Sequence, residues 1–176
     1  MARVLGLCSR TGTAVAVVLD GTTLVGRWTL DLTEDRVPAQ VFHVAHGRPD
    51  SQDFIDRAVA TVAGVAGVRI RELVAGIGGL VGAGVVIGDH AIPDSVPKIL
   101  ASHALMHAAE GQLYRDALVD AAQAAGLRVV CLPRTEAQAG LDRAAATVAA
   151  LGRAAGTPWR KEHKLAAVAA LAATTR

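Results

Sequence analysis

His103 and His107 stand four residues apart in a stretch that reads as one long helix, and Glu110 and Tyr114 follow on the same side. At about 100° per residue the four side chains make one narrow polar stripe. Leu105, Met106, Ala109 and Leu113 flank it as a core face. Two imidazoles at i and i+4 can chelate Zn²⁺, and Glu110 would be a third ligand or a base. His103, His107 and Glu110 are therefore the candidate metal set. The glutamate is not in the HExxH position, so the pattern is not that of a zinc peptidase. The competing reading is a pair of hydrogen-bonded histidines.

A second group is polar and cationic. Cys8-Ser9-Arg10-Thr11-Gly12 follows the first apolar run. Hydroxyls, a guanidinium and backbone N–H groups suit a phosphate, and they also make an ordinary turn. Near the other end, Arg160, Lys161 and Lys164 sit in the segment that reads as the last helix. Ser9, Arg10, Thr11, Arg160, Lys161 and Lys164 form the candidate anion-binding set. The competing reading is solvated charges on buried stems. The glycine-rich run IGGLVGAGVVIG lacks the GxxxxGK[ST] spacing, and no GxGxxG opens a helix. No nucleotide or other cofactor is expected from it, and no catalytic residue is assigned.

The elements that must position these residues are legible in outline. Arg3–Leu7 is a continuous apolar strand of the buried type. Ala14–Leu19 and Thr23–Leu30 are two more, joined by a hairpin at Asp20-Gly21. A loop of about twenty residues, 31–49, follows; that length points to function or mobility. Asp50 or Ser51 caps a helix with Phe54, Ile55, Ala58, Val59 and Val62 on its apolar face. Leu73–Ile77 reads as a fourth strand and the glycines after it as a flexible crest. A long helix spans about Val96 to Ala125, and Arg128–Leu132 is a fifth strand. Thr135 and Gln138 make a capping box for a helix to about Arg153. Thr157 caps the last helix, with Pro158 in its first turn.

Three strands in a meander, then helix–strand alternation and two closing helices, give a mixed five-stranded α/β sheet with helices on both faces. This order resembles the RNase H-like superfamily, most nearly its RuvC-type resolvases, over nearly all of residues 1–176 as a single domain. In that family two metal ions are held by acids at the end of the first strand, near the fourth strand and on the last helix. The corresponding places here read Cys8-Ser9 and Lys161 with Lys164. The resemblance implies a catalytically degenerate pseudo-nuclease that binds nucleic acid or a protein partner rather than cleaving. It also implies that the fourth strand separates the first from the fifth. Cys8 and Cys131 would then be roughly 9–10 Å apart, too far for a disulfide, and both read as buried small hydrophobes. Two alternatives stand beside it. One is a metal-dependent nuclease or hydrolase with relocated ligands: Asp20, Asp31 and Glu110, or the His103–His107–Glu110 set. The other is a homo-oligomeric scaffold whose Ala-rich faces at 143–151 and 165–173 pack on a second copy.

Charge is uneven along the chain. Residues 1–95 hold eight Arg against ten acids, net −2, and residues 96–176 hold ten basic residues against six acids, net +4. A polyanion should favour the C-terminal half. Two cysteines make no disulfide framework, no leader is legible, and no apolar run reaches the roughly 18 residues of a membrane span. A cytoplasmic protein away from membranes is expected.

Overall fold

The computed structural model describes residues 2–34 and 37–174. Its sheet has five strands: β1 (Arg3–Arg10), β2 (Thr13–Asp20), β3 (Thr23–Asp31), β4 (Leu80–Ile87) and β5 (Arg128–Pro133), in the order β3-β2-β1-β4-β5. β1 is central, antiparallel to β2 and parallel to β4. β1, β2 and β4 are buried almost throughout. That is why β1 and β2 read as unbroken apolar runs rather than as alternation.

Two apolar layers cover the sheet. On one face lie α1 (Val41–Ala45), α2 (Ser51–Ile77), α3 (Val96–Leu100) and α4 (His103–Ala124), packed on Leu5, Leu7, Val18 and Val85. On the other lie α5 (Arg134–Arg143), α6 (Ala145–Ala155) and α7 (Lys161–Thr174), packed on Cys8, Val15, Val17 and Val86.

The structure moves the fourth strand. Leu73–Ile77 is the last turn of α2, because Val62, Ala66, Ile70 and Leu73 continue one buried helical face. Gly78 and Gly79, both at φ +66°, end the helix. The expected crest is then β4 itself. Its glycines are not loop formers: a Cβ on Gly84 would fall on the Ala169 carbonyl of α7. Glycine lets a helix backbone lie directly on the sheet.

Other expectations shift at helix ends. The long helix is broken at Ser102, whose hydroxyl accepts the Leu105 N–H and caps α4 separately from α3. Asp50 gives its carboxylate to Arg48, not to the α2 N-terminus. The helix expected to run to about Arg153 is two, divided at Ala144. α7 starts at Lys161 rather than after Thr157, and the His163 ring accepts the Arg160 N–H. Cys131 is exposed at the sheet edge, whereas Cys8 is buried. The alanine face at 165–173 is consumed inside the protein: Ala166, Ala167, Ala169 and Ala170 are fully buried against the sheet. It is not available to a second copy.

The 31–49 segment, of which residues 35 and 36 lie outside the described residues, holds the short helix α1. Val41, Phe42 and Ala45 are buried against α4. The Tyr114 hydroxyl donates to the Ala39 carbonyl at 2.7 Å. The Glu110 and Tyr114 half of the α4 polar stripe is thus covered by this segment, while His103 and His107 stay exposed. Burial pushes the Tyr114 phenol up to about 12. No helix among the described residues is long and apolar enough to cross a membrane.

Candidate functional site

Parallel strands β1, β4 and β5 end together, and α4 leads back into β5 through three residues, 125–127. The first half of α4 therefore lies toward the end of the sheet where β4 and β5 finish. Two groups of side chains gather there.

The first sits on the strand ends. Side chains alternate along β1, so Cys8 and Arg10 face the α5/α7 layer, while Ser9 is buried on the α4 side. Burial pushes the Cys8 thiol up. The charge of Arg134, the first residue of α5, pulls the other way, as does that of Arg10; Glu162 of α7 opposes them. Arg115 of α4 reaches the same place. Its guanidinium lies against Gly88 and Gly111, where added Cβ atoms would stand 2.9 and 2.7 Å from its nitrogens. Burial and then the neighbouring Arg134 pull the Arg115 guanidinium down; Asp116, Asp89 and Cys8 partly restore it. A cavity of about 330 Å³ opens beside it, lined among others by Asp89, His90, Arg115, Asp116 and Cys131.

Asp89, just past β4, has a structural duty. It accepts the Thr135 N–H at 3.0 Å and the Thr135 hydroxyl at 2.7 Å. The expected Thr135–Gln138 capping box is thus replaced by a carboxylate from another element, in keeping with the preference of helix N-termini for negative charge. Both bonds hold the Asp89 carboxyl below its usual range. A carboxyl lowered in the folded state contributes stability above its unfolded value, about 3.9. That contribution is lost as pH falls through the lower folded value. Asp89→Asn should therefore lower stability near neutral pH, with the gap to wild type closing in acid; urea midpoints across a pH series check this.

Of the anion-binding set, Arg10 joins Cys8 and Arg134. Ser9 is buried and Thr11 exposed in the β1–β2 turn. Arg160 and Lys161 are exposed next to Glu162. Lys164 is directed elsewhere: with Arg153 and Trp159 it lines a cavity of about 460 Å³ between α6 and α7. Arg115 and Arg134 escaped the sequence reading. For Arg134 a signal existed, since the residue after a parallel strand is where α/β sites are built. For Arg115 there was none.

The second group is on α4 and α1. His103 and His107 come together as expected, and His43 joins them from α1. Their ligand nitrogens all lie within 4.8 Å of one another. The rings meet at centroid distances of 4.4–5.0 Å. Glu110 lies beneath them, 1% exposed. Its Oε1 is 2.7 Å from His43 Nδ1 and accepts the His43 N–H at 3.3 Å, and its Oε2 is 3.8 Å from His107 Nδ1. Among the described residues no group hydrogen-bonds His43 Nε2, which is buried. Glu110 is therefore a partner of the histidines rather than a third member of their cluster. His43 was missed because only folding brings residue 43 to residue 107. The apolar spacing of Val41, Phe42 and Ala45 was the signal that this loop docks.

Among solved structures, Thermus thermophilus RuvC in complex with Holliday junction substrate matches with TM-score 0.59 and 14% identity, covering 97% of this chain and 91% of that one. A second Thermus thermophilus RuvC structure matches with TM-score 0.57 and 12% identity, covering 96% and 91%. The fold is RNase H-like, of the RuvC type. Sequence comparison finds no family model and no curated protein that match. At such identity the likeness carries the RuvC-type arrangement of sheet and helices and no residue roles. It makes the strand ends the place to ask about function, because ligands of open α/β sheets sit there.

Proposed function

We propose that this is a non-cleaving RuvC-like domain that holds a nucleic-acid phosphate backbone at the ends of β1, β4 and β5. One observation supports the reading: Arg10, Arg115 and Arg134 all lie within electrostatic range of Cys8 at the strand ends, with Asp89, Asp116 and Glu162 close by. The charges of Arg134 and Arg10 act on the Cys8 thiol, and Arg115 feels the charges of Arg134 and Cys8. Mg²⁺ demands hard oxygen ligands in octahedral array. A buried thiol kept protonated, a hydroxyl and cationic side chains do not fit that ion. Asp89 is engaged in capping α5. The same cations suit phosphate oxygens through charge-assisted hydrogen bonds. The solved neighbour bound to a Holliday junction supports nucleic acid as the ligand class.

The test is a salt series with single-stranded and four-way-junction DNA. Wild type should bind at about 50 mM salt and weaken steeply as salt rises, because each neutralised phosphate releases counterions. Arg115→Glu with Arg134→Glu should weaken binding by more than about 100-fold and flatten the salt slope by about one per lost contact. Lys161→Glu with Lys164→Glu should have a smaller effect, because Lys164 lines the α6–α7 cavity. No Mg²⁺-dependent cleavage should accompany binding. Cleavage abolished both by EDTA and by Asp89→Asn or Glu162→Gln would overturn the reading. Absent binding at low salt would leave a protein partner as the better ligand for this surface.

A further inference from the structure

We propose that His43, His103 and His107 form a zinc-class divalent cation site, with Glu110 as the residue that orients it. The site is separate from the strand ends. His107 and Arg115 are eight residues apart on α4, about 12 Å along its axis, and the proposal does not rest on the phosphate reading.

Three observations converge. The ligand nitrogens of three imidazoles from two elements lie within 4.8 Å of one another. Tetrahedral Zn²⁺ with bonds of about 2.0–2.1 Å needs them roughly 3.3–3.4 Å apart. His103 and His107 are exposed, the His107 side chain by 53%, so modest rotations close that gap. Next, the buried carboxylate of Glu110 takes His43 Nδ1 at 2.7 Å. With Nδ1 donating, the lone pair falls on Nε2. A histidine ligand normally gives its second nitrogen to a carboxylate or carbonyl in this way. Third, that Nε2 is buried with no hydrogen-bond partner among the described residues. Buried polar atoms are rarely left so, and a cation among the three rings would satisfy it. A pair of hydrogen-bonded histidines, the simpler reading, does not explain the third ring or the orphaned nitrogen.

The donor set fixes the ion class. Imidazole suits Zn²⁺ and its borderline neighbours, not Mg²⁺ or Ca²⁺. Three protein ligands with two rings at the surface leave a fourth position open to solvent, the arrangement of zinc sites that bind water or a small anion. The carboxylate beneath offsets one of the two metal charges, so the centre keeps a net positive charge toward that position. The ion would also tie the 31–49 segment, through His43, to the first turns of α4.

The experiment uses the full chain stripped with a chelator. Calorimetric titration with Zn²⁺ alone should show one equivalent, and Co²⁺ should give the visible absorption of a tetrahedral centre. Excess Zn²⁺ should raise Tm by about 5–10 °C. His103→Ala with His107→Ala, both exposed and replaceable without disturbing the core, should keep native circular dichroism. That variant should lose at least about 100-fold in affinity, the Co²⁺ band and the Tm shift. Glu110→Gln should lower affinity by about 10–100-fold. The proposal is overturned if the wild-type chain takes up no stoichiometric zinc at micromolar concentrations. It is equally overturned if the His103→Ala/His107→Ala variant binds as tightly as wild type.

Discussion

Glu110→Ala, in the metal-free protein, should lose about 3 kcal/mol of stability and about 6–12 °C in Tm. The carboxylate is buried under α1 and accepts both the Nδ1–H and the backbone N–H of His43. Truncation leaves two donors unpaired at the point where residues 37–45 dock, and each such group costs about 1–3 kcal/mol. The void adds to this, since a core only partly collapses around a deleted side chain. Partial exposure of His43 moderates the total, because its ring can turn toward water. Glu110→Gln preserves shape and one acceptor and should cost about half as much. A double-mutant cycle with His43→Ala isolates the pair: the coupling should exceed about 1 kcal/mol. Urea unfolding of the four proteins measures it, and a Glu110→Ala loss under about 1 kcal/mol would show that the carboxylate does not hold α1.

What the sequence revealed and concealed has a physical pattern. The meander followed from apolar runs and two tight turns, which are local signals, whereas the central place of β1 followed from the order of elements and the resemblance it carries. β4 was misplaced because glycine carries two meanings, freedom in a loop and close approach in a sheet. Only the helix lying across Gly84 decides between them. The α4 stripe was readable from spacing on one helix. Its burial was not: Glu110 and Tyr114 look polar in sequence yet lie in the interior, because a segment 67–75 residues earlier folds over them. The strand-end cations were half legible. Arg10 belongs to β1 itself, whereas Arg115 arrives from α4 through a slot between Gly88 and Gly111 that no spacing announces. The exchange of a capping box for Asp89 has the same origin, since a partner from another element outcompeted the local one.

Gly84→Val should prevent folding, and Gly84→Ala should cost at least about 3 kcal/mol, the upper end of ordinary overpacking. A Cβ on Gly84 would coincide with the backbone carbonyl of Ala169, and one on Gly6 with that of Ala166. In neither case is the obstacle a flexible side chain that can turn aside. Relief requires α7 to lift off the sheet as a body. The alanines facing inward, Ala166, Ala169 and Ala170, would then lose the contact for which their small size is suited. The consequence reaches the strand ends, because the first turn of α7 brings Glu162 into electrostatic range of Cys8. A lifted α7 therefore alters the thiol's surroundings as well as stability. Gly64 is the control: it lies in α2 with nothing within 4 Å of an added Cβ. Gly64→Ala should stabilise the protein by about 0.5–1 kcal/mol through helix propensity alone. Opposite signs for Gly84→Ala and Gly64→Ala in urea unfolding would establish that α7 rests on the sheet through backbone contact. A loss of under about 1 kcal/mol at Gly84 would mean that α7 rides higher than the structure places it.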